Sequence, residues 1–315
     1  MEYLIILFSL AGIVIGANYL VSGAVSVARR FKVSDFVIGA AIVGVGTSMP
    51  EFVVSFIGAL NGNADVAIGN VVGSNIFNVL GILSITALFF PVAIDGKNMK
   101  FEIPFAIGVS LLLTLLALNF FNGEPASIGR VDGISLLLLF AIYMWYSFVR
   151  DRKENKTTTA ETHEGGPLWR GILEVIGGLA LLVTSCDFFV DNAVCIAKSF
   201  GVSDAFISLT LIACGTSLPE LAASIAAAVK KNTDMALGNI IGSNIFNITF
   251  ILGLSSQVMP LTSSDITLVD YCVMIAAAVV PMVLGLRGKI GRLSGVLMIA
   301  CFVFYNWYLV TNQIS

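Results

Sequence analysis

Glu51 and Glu220 are the two residues of this 315-residue chain whose type and position could do chemistry. Each carboxylate lies near the middle of an otherwise apolar stretch that contains no Lys or Arg. A charged side chain at the centre of a membrane helix costs about 2.5–3.5 kcal/mol on insertion scales, so it normally faces a cavity and a compensating charge. We therefore predict a mobile partner, either a cation or a proton, for both carboxylates.

The two glutamates belong to a sequence motif that occurs twice. GTSMPE followed by GNVVGSNIFN covers Gly46 to Asn78, and GTSLPE followed by GNIIGSNIFN covers Gly215 to Asn247, with an offset of 169 residues and no gap. A span can stay apolar with many different residues, so solubility in lipid does not explain why the same polar residues stand in both copies. These repeated polar residues are the candidates for a functional site.

Oxygen atoms dominate the polar chemistry of both copies. Pro50 and Pro219 cannot donate a backbone hydrogen bond, so we expect a kink beside each glutamate and a freed carbonyl at Gly46 and Gly215. The hydroxyls beside the glutamates are those of Thr47, Ser48, Thr216 and Ser217. Side chains four residues apart share a helix face, which pairs Ser74 with Asn78 and Ser243 with Asn247. Apart from the nearby Cys214, this set is one of hard oxygen ligands, which suits calcium or sodium rather than zinc or copper.

The composition is that of a membrane protein. Apolar residues make up 57% of the chain and charged residues 12%, with a mean hydropathy of +0.94, whereas soluble domains carry about 25% charged residues. The first apolar stretch lacks a basic segment before it and is too long for a signal peptide, so we predict a true span. Stretches long enough to cross a bilayer are expected at 3–27, 34–60, 66–91, 101–121, 131–149, 171–197, 204–229, 235–260, 267–286 and 292–311. The predicted fold is an all-α integral membrane protein with ten transmembrane helices.

The loop charges predict the orientation of these spans. When the connections alternate between the two sides, 15 of the 17 Lys and Arg residues fall on one side, and Arg130 and Lys198 fall on the other. Positive charge marks the cytoplasmic side, so both termini are expected outside the cytoplasm. Each repeat then has five spans, and an odd number inverts the second copy, which is typical of secondary transporters. The predicted organisation is a first repeat at 1–149 (motif 44–81), a cytoplasmic linker at 150–170 and a second repeat at 171–315 (motif 213–253).

Two further expectations concern residues outside the ligand set. Asp65 and Asp234 lie at span ends, where we predict that they cap helix N-termini. Glycines of the motif are predicted to be close-packing positions between helices: Gly69, Gly73, Gly238 and Gly242.

The duplicated motifs resemble the paired alpha repeats of the calcium/cation antiporter superfamily, specifically its prokaryotic sodium/calcium exchanger branch. The resemblance covers essentially the whole chain. It implies electrogenic exchange of several sodium ions for one calcium ion, by alternating access to a site between the second, third, seventh and eighth spans. It also implies that the first and sixth spans slide across this core as a gate, and it places the protein in a prokaryotic plasma (inner) membrane.

The resemblance also implies a set of cation ligands. Calcium would be held by the side chains of Glu51 and Glu220 and the backbone oxygens of Thr47 and Thr216. Sodium would use the same glutamates with Ser48, Ser74, Ser217 and Ser243 and the carbonyls of Gly44 and Ala213. Asn78 matches the central amide of the family. Asn247 departs from the family members that carry Asp there, so the site has two formal negative charges instead of three, and we expect altered stoichiometry, weaker sodium coupling or a protonation difference.

Several alternatives stay open at this point. A potassium-dependent sodium/calcium exchanger or a proton/calcium exchanger would use the same fold, although GNVVG and GNIIG lack the GNxxE-type glutamate of the proton branch. A cation channel is less consistent with an inverted repeat in one chain, and an organic-solute carrier would need aromatic or basic residues in the duplicated core. We expect no enzyme activity, no cofactor, no nucleic-acid partner and no obligatory protein partner; the expected partners are calcium and sodium ions, with potassium possible, and the lipid bilayer.

Overall fold

The computed structural model describes residues 2–31, 33–96, 98–118, 127–155, 167–200, 215–262 and 266–314. Its elements are almost all helical. In chain order the α-helices of the first half are α1 (Glu2–Phe31), α2 (Asp35–Ile38), α3 (Val45–Thr47), α4 (Met49–Leu60), α5 (Ala64–Ile76), α6 (Ser84–Phe89), α7 (Ile103–Leu118) and α8 (Arg130–Asn155). Those that follow are α9 (Leu168–Ser199), α10 (Leu218–Val229), α11 (Thr233–Phe246), α12 (Leu252–Val258), α13 (Leu268–Gly285) and α14 (Arg292–Ile314).

Short π-helical segments interrupt several of these helices. They cover Gly39–Gly44, Phe77–Leu83, Asn98–Glu102 and Asn247–Ile251. A π-helical turn contains one residue more than an α-helical turn and often occurs at functional sites. Two of the segments begin next to or at the candidate ligands Asn78 and Asn247, so the helix geometry changes where these side chains enter the core.

Nine of the ten predicted spans coincide within a few residues with helices of the described part of the chain. Eight of these helices are long and apolar enough to cross a membrane, and a ninth span results when the pair Asp35–Thr47 and Met49–Leu60 is taken together. The predicted seventh span, 204–229, lies partly outside the described residues, which include its second part as α10. The protein is therefore a multi-pass membrane protein.

The third and eighth spans form the centre of the molecule. The apolar window of Thr233–Val258 is 94% buried within the protein and that of Ala64–Phe89 is 78% buried, whereas the window of Arg292–Thr311 is 11% buried. Apolar side chains on the outer spans face outward because lipid is as favourable for them as a protein core. The motif residues, which lie on the central spans and the bent pair, are thus shielded from lipid.

Glycines bring α1 and α9 into close contact along their length. A Cβ atom added to Gly16 would lie 2.7 Å from the backbone nitrogen of Leu182, and one added to Gly23 would lie 2.7 Å from the carbonyl oxygen of Gly171. Small residues allow this approach of two membrane helices. The first and sixth predicted spans therefore pack as a pair.

The predicted helix caps are wrong by two residues. Asn63 and Asn232, rather than Asp65 and Asp234, are the N-caps of α5 and α11, and their side-chain oxygens accept hydrogen bonds from the backbone nitrogens of Val66 and Met235, both at 3.1 Å. The aspartates lie in the first turn instead, where a negative charge is still favourable next to the free N–H groups.

The only strands in the described part of the chain are two short ones, β1 (Val92–Ala93) and β2 (Lys289–Ile290). They pair antiparallel, with Val92 opposite Ile290. The residue 169 positions after Val92 is Leu261, and it forms an isolated antiparallel bridge with Ile128. Val92 and Leu261 thus lie at equivalent positions of the two copies, but their partners Ile290 and Ile128 do not, because these two residues are 162 positions apart.

Candidate cation site

The two glutamates lie together in the centre of the protein, and neither is exposed to any extent. The hydroxyl of Ser217 donates a hydrogen bond to Oε1 of Glu51 at 2.7 Å, and the hydroxyl of Ser48 donates one to Oε1 of Glu220, also at 2.7 Å. Each half of the chain therefore supplies a hydroxyl to the carboxylate of the other half. Such reciprocal contacts are those of a two-fold arrangement, in which the same surface serves both partners.

A break in the helix positions each carboxylate. Ser48 has φ −81° and ψ 11°, and Ser217 has φ −91° and ψ 8°, so neither residue continues an ideal α-helix. A new helix begins just after each serine, and its second residue is a proline, Pro50 or Pro219, at a place where the missing N–H is tolerated. The helices before and after Ser48 are bent by 49°, which confirms the predicted kink there. Glu51 and Glu220 lie in the first turn of the new helices, the positive end of the helix dipole.

The other predicted ligands that the structure describes lie around this pair. The hydroxyl of Ser217 also lies 3.4 Å from Oγ of Ser74, and the hydroxyl of Ser243 donates to the carbonyl oxygen of Gly44 at 3.2 Å. The Thr47 hydroxyl donates to the carbonyl oxygen of Val43 at 2.9 Å. This bond uses the hydrogen of the Thr47 hydroxyl, and the resemblance assigns the backbone carbonyl oxygen of this residue as its calcium ligand. Ala213, predicted as a carbonyl ligand, lies outside the described residues.

Four asparagines form a second reciprocal network. Nδ2 of Asn75 donates to the carbonyl oxygen of Asn244, and Nδ2 of Asn244 donates to that of Asn75, both at 3.2 Å. Nδ2 of Asn78 donates to Oδ1 of Asn244 at 3.0 Å, and Nδ2 of Asn247 donates to Oδ1 of Asn75 at 3.2 Å. These bonds use the amide nitrogens of Asn78 and Asn247 as donors, and the side-chain oxygens of both residues have no hydrogen-bond donor. An ionised Asp at position 247 could not donate the bond to Asn75, which is a structural reason for the amide there.

Buried oxygen atoms without a hydrogen-bond donor therefore collect in the core. They are Oε2 of Glu51, Oε2 of Glu220, Oδ1 of Asn78, Oδ1 of Asn247 and Oγ1 of Thr216. A buried polar atom without a partner costs about 1–3 kcal/mol, and more when it is charged. The spans that carry these atoms contain no Lys or Arg. The arrangement can lower this cost by binding a cation or by protonation of the carboxyl groups.

Two asparagines that sequence reasoning missed hold the glutamate-bearing helices in place. Nδ2 of Asn239 donates to the carbonyl oxygen of Glu220 at 3.1 Å and to Oγ of Ser224 at 2.8 Å. Nδ2 of Asn70 donates in the same way to the carbonyl oxygen of Glu51 at 3.0 Å and to a serine hydroxyl on α4 at 2.9 Å. The identity of these two asparagines in the repeated GN pair was the signal that could have identified them.

The sequence and the structure of this chain were compared with those of known proteins, and they match one family. The family model described as sodium/calcium exchanger protein matches residues 1–149 and 171–311. The "Putative antiporter CaxA" of Alkalimonas amylolytica is 39% identical over 97% of this chain and 98% of its own length. The "Sodium/calcium exchanger MaX1" of Methanosarcina acetivorans is 30% identical over 98% of this chain and 97% of its own length. A solved structure of the sodium-calcium exchanger NCX_Mj superposes with a TM-score of 0.84 at 30% identity and covers 98% of each chain.

Proposed function

Because the chain belongs to the sodium/calcium exchanger protein family, we propose that this cation/calcium antiporter exchanges sodium for calcium by alternating access, with Glu51 and Glu220 as its central ligands. The remaining described ligands of the proposal are the oxygens of Thr47, Thr216, Ser48, Ser217, Ser74, Ser243, Asn78, Asn247 and Gly44. The carbonyl oxygen of Ala213, which lies outside the described residues, completes the proposed set because the resemblance assigns a sodium ligand to its position in the second motif.

The observation that carries the proposal is the group of buried oxygens without donors around the carboxylate pair. Calcium binds six to eight oxygen ligands in flexible geometry, and carboxylate, carbonyl and amide oxygens are its usual partners. Among the described residues, no group of three or more His, Cys, Asp or Glu side chains could hold a metal ion, so hydroxyl, carbonyl and amide oxygens would have to supply the ligands beyond the two carboxylates. A hard cation is therefore the better match to this core.

Competition for the carboxylates couples the two fluxes in this proposal. Both ions need Glu51 and Glu220, so sodium binding displaces calcium. The empty site carries two uncompensated charges, and moving them past apolar side chains is costly. The loaded site is therefore the form that changes its access from one side of the membrane to the other.

The reciprocal contacts of the two halves support the inverted-repeat arrangement that alternating access requires. Ser48 bonds to Glu220 as Ser217 bonds to Glu51, with each partner displaced by the repeat offset. With five spans in each repeat, the symmetry axis lies in the membrane plane. We propose ten transmembrane helices in a prokaryotic plasma membrane, with both termini outside the cytoplasm, as the loop charges predict.

The test is uptake of radioactive calcium into proteoliposomes. Vesicles loaded with sodium should accumulate calcium from a sodium-free medium, and vesicles loaded with choline should not. Equal uptake into both would contradict sodium/calcium exchange. Arms with internal potassium added to sodium, and with an imposed proton gradient and no sodium, separate the potassium-dependent and proton-driven exchangers. A channel would show calcium entry that neither saturates nor needs a counter-ion.

Substitution of Asn239 by alanine is expected to raise the calcium concentration for half-maximal exchange about tenfold. The substitution leaves the carbonyl of Glu220 and the hydroxyl of Ser224 without their donor, at a cost of about 1–3 kcal/mol each, and the helix that carries the carboxylate loses its fixed position. The measurement is the calcium dependence of sodium-driven uptake. Asn61, which is exposed, provides the control: Asn61→Ala should behave like the parent, and an unchanged half-saturation in Asn239→Ala would exclude the positioning role.

A further inference from the structure

A lysine at the end of α10 contacts the first span, and the cation site does not explain this contact. α10 ends at Val229, and Lys230 is its C-cap. The ammonium group of Lys230 donates one hydrogen bond to the carbonyl oxygen of Asn18 at 2.7 Å and a second to the hydroxyl of Ser22 at 2.6 Å. Both acceptors belong to α1, so a single side chain joins the first span to a helix of the core.

The two acceptors lie at a depth where an ammonium group needs them. α1 continues to Phe31, so Ser22 lies nine residues before its end, which corresponds to roughly 13 Å of helix. A positive charge at this depth in a membrane is costly unless it has polar partners or reaches water. If the oxygens of α1 moved away, the ammonium group of Lys230 would have to be hydrated, and the end of α10 would then be open to water.

The helix that Lys230 contacts belongs to the outer part of the molecule. The apolar windows of Glu2–Phe31 and Leu168–Ile196 are 33% and 22% buried, compared with 94% for that of Thr233–Val258. α1 and α9 contact each other far more extensively than either contacts the central spans. The pair can therefore shift as one body across the core, and the hydrogen bonds of Lys230 are contacts that such a shift would break.

The pair is packed against the core at one end and not at the other. α1 packs against α10, whereas the equivalent helices α9 and α4 make almost no contact with each other among the described residues. The turns after α4 and α10 nevertheless have the same backbone conformation, since Gly62 has φ 77° and Lys231 has φ 61°. The residue equivalent to Lys230 is Asn61, which carries no charge. The two ends therefore differ in side-chain chemistry and in helix packing, and not in the turn.

We propose that Lys230 is a latch, a side chain that closes the predicted cytoplasmic side by holding α1 against α10, and that its bonds break whenever the site opens to that side. The latch favours the state in which the other side, where α9 and α4 are apart, is accessible. Lys230 acts through α1 and not on a bound ion. The inference rests on the proposed alternating access, but not on which ions are exchanged.

The test is hydrogen–deuterium exchange of the purified full-length protein, measured by mass spectrometry of its peptides, for the parent and for Lys230→Met. Methionine is similar in length and apolar, but it cannot donate a hydrogen bond. Exchange in the segments 16–24 and 226–232 should become about tenfold faster, because exchange follows the population of the open state. Exchange in the segments 52–60 and 186–194 should become slower, because α9 then closes on α4. General loosening would speed exchange in all four segments, so opposite changes identify a shift between two states.

Three further variants complete the test. Lys230→Arg keeps a charged donor and should exchange like the parent. Ser22→Ala removes one of the two acceptors and should change exchange in the same directions by a smaller factor, and it keeps the proposal testable if Lys230→Met does not fold. Lys231→Gly is the matched control, because it removes a positive charge from the same turn and introduces the residue that the first copy has there. It should exchange like the parent.

Three results would overturn the latch: unchanged exchange in Lys230→Met, faster exchange in all four segments, or the same response in Lys231→Gly. Sodium-driven calcium uptake by the parent protein reports separately on the proposed function. Uptake by the parent together with unchanged exchange in Lys230→Met would refute the latch alone. Opposite changes in Lys230→Met without sodium-driven uptake by the parent would support the latch and refute sodium/calcium exchange.

Discussion

Sodium-driven calcium uptake is expected to be lost when either Glu51 or Glu220 is replaced by glutamine. Glutamine keeps the shape of the side chain, and its oxygen can still accept the hydrogen bond from the serine of the other half. What is lost is one of the two negative charges that balance a calcium ion. Removing one partner of a buried pair of opposite charges, here a carboxylate that faces the calcium ion, typically costs about 3–5 kcal/mol. This cost corresponds to a loss of calcium affinity of roughly a hundredfold or more.

Because each carboxylate accepts the same hydrogen bond from the serine of the other half, the two single variants should fail to a similar extent. Calcium uptake and calcium binding are both measured, so that a transport defect is distinguished from a binding defect. Glu174→Gln removes the same charge from a surface ion pair, whose contribution is small, and should transport normally. Retention of half of the parent's uptake by Glu51→Gln would mean that calcium does not need both carboxylates.

The spans, and the burial of the candidate site residues in one core, could largely be predicted because they follow from local sequence, whereas the ligand role of these residues stays a prediction. Apolar length predicted the described helices to within a few residues, and Pro50 predicted the bend that the structure has beside Ser48. The glutamates were identified because a carboxylate in an apolar span is costly, and the serines because they recur in both motifs.

The crosswise pairing could not be predicted from either motif alone. Ser48 precedes Glu51 by three residues, which makes a local contact the natural expectation, yet its hydroxyl bonds to Glu220. That bond depends on how the halves pack. The π-helical segment that begins at Asn247 was also not foreseen, because an extra residue in a turn is stabilised by tertiary contacts and has no strong local signature.

The packing of α11 against the bent span leads to the second expected result, a severe loss of stability in Gly242→Val. A Cβ atom at Gly242 would lie 2.6 Å from Cβ of Ala40 and 2.9 Å from the carbonyl oxygen of Ala40. A backbone cannot move away as a flexible side chain can, so the two helices must separate. Overpacking of this kind costs about 1–3 kcal/mol, and we expect the upper end, because valine adds two further methyl groups. The midpoint of thermal unfolding in detergent should fall by roughly 5–10 °C.

The same displacement should reduce transport, because α11 carries Ser243 and Asn239 on the core side. Gly108→Val is the matched control: Gly108 is exposed within α7, and no described atom lies within 4 Å of an added Cβ there. It should unfold close to the parent's midpoint and retain calcium uptake, since valine is less favourable than alanine but not disruptive in a lipid-facing helix. Unfolding of Gly242→Val at the same temperature as Gly108→Val would contradict this prediction. It would mean that the close contact between α11 and the bent span does not contribute to stability, and that the core accommodates the added volume by a different helix arrangement.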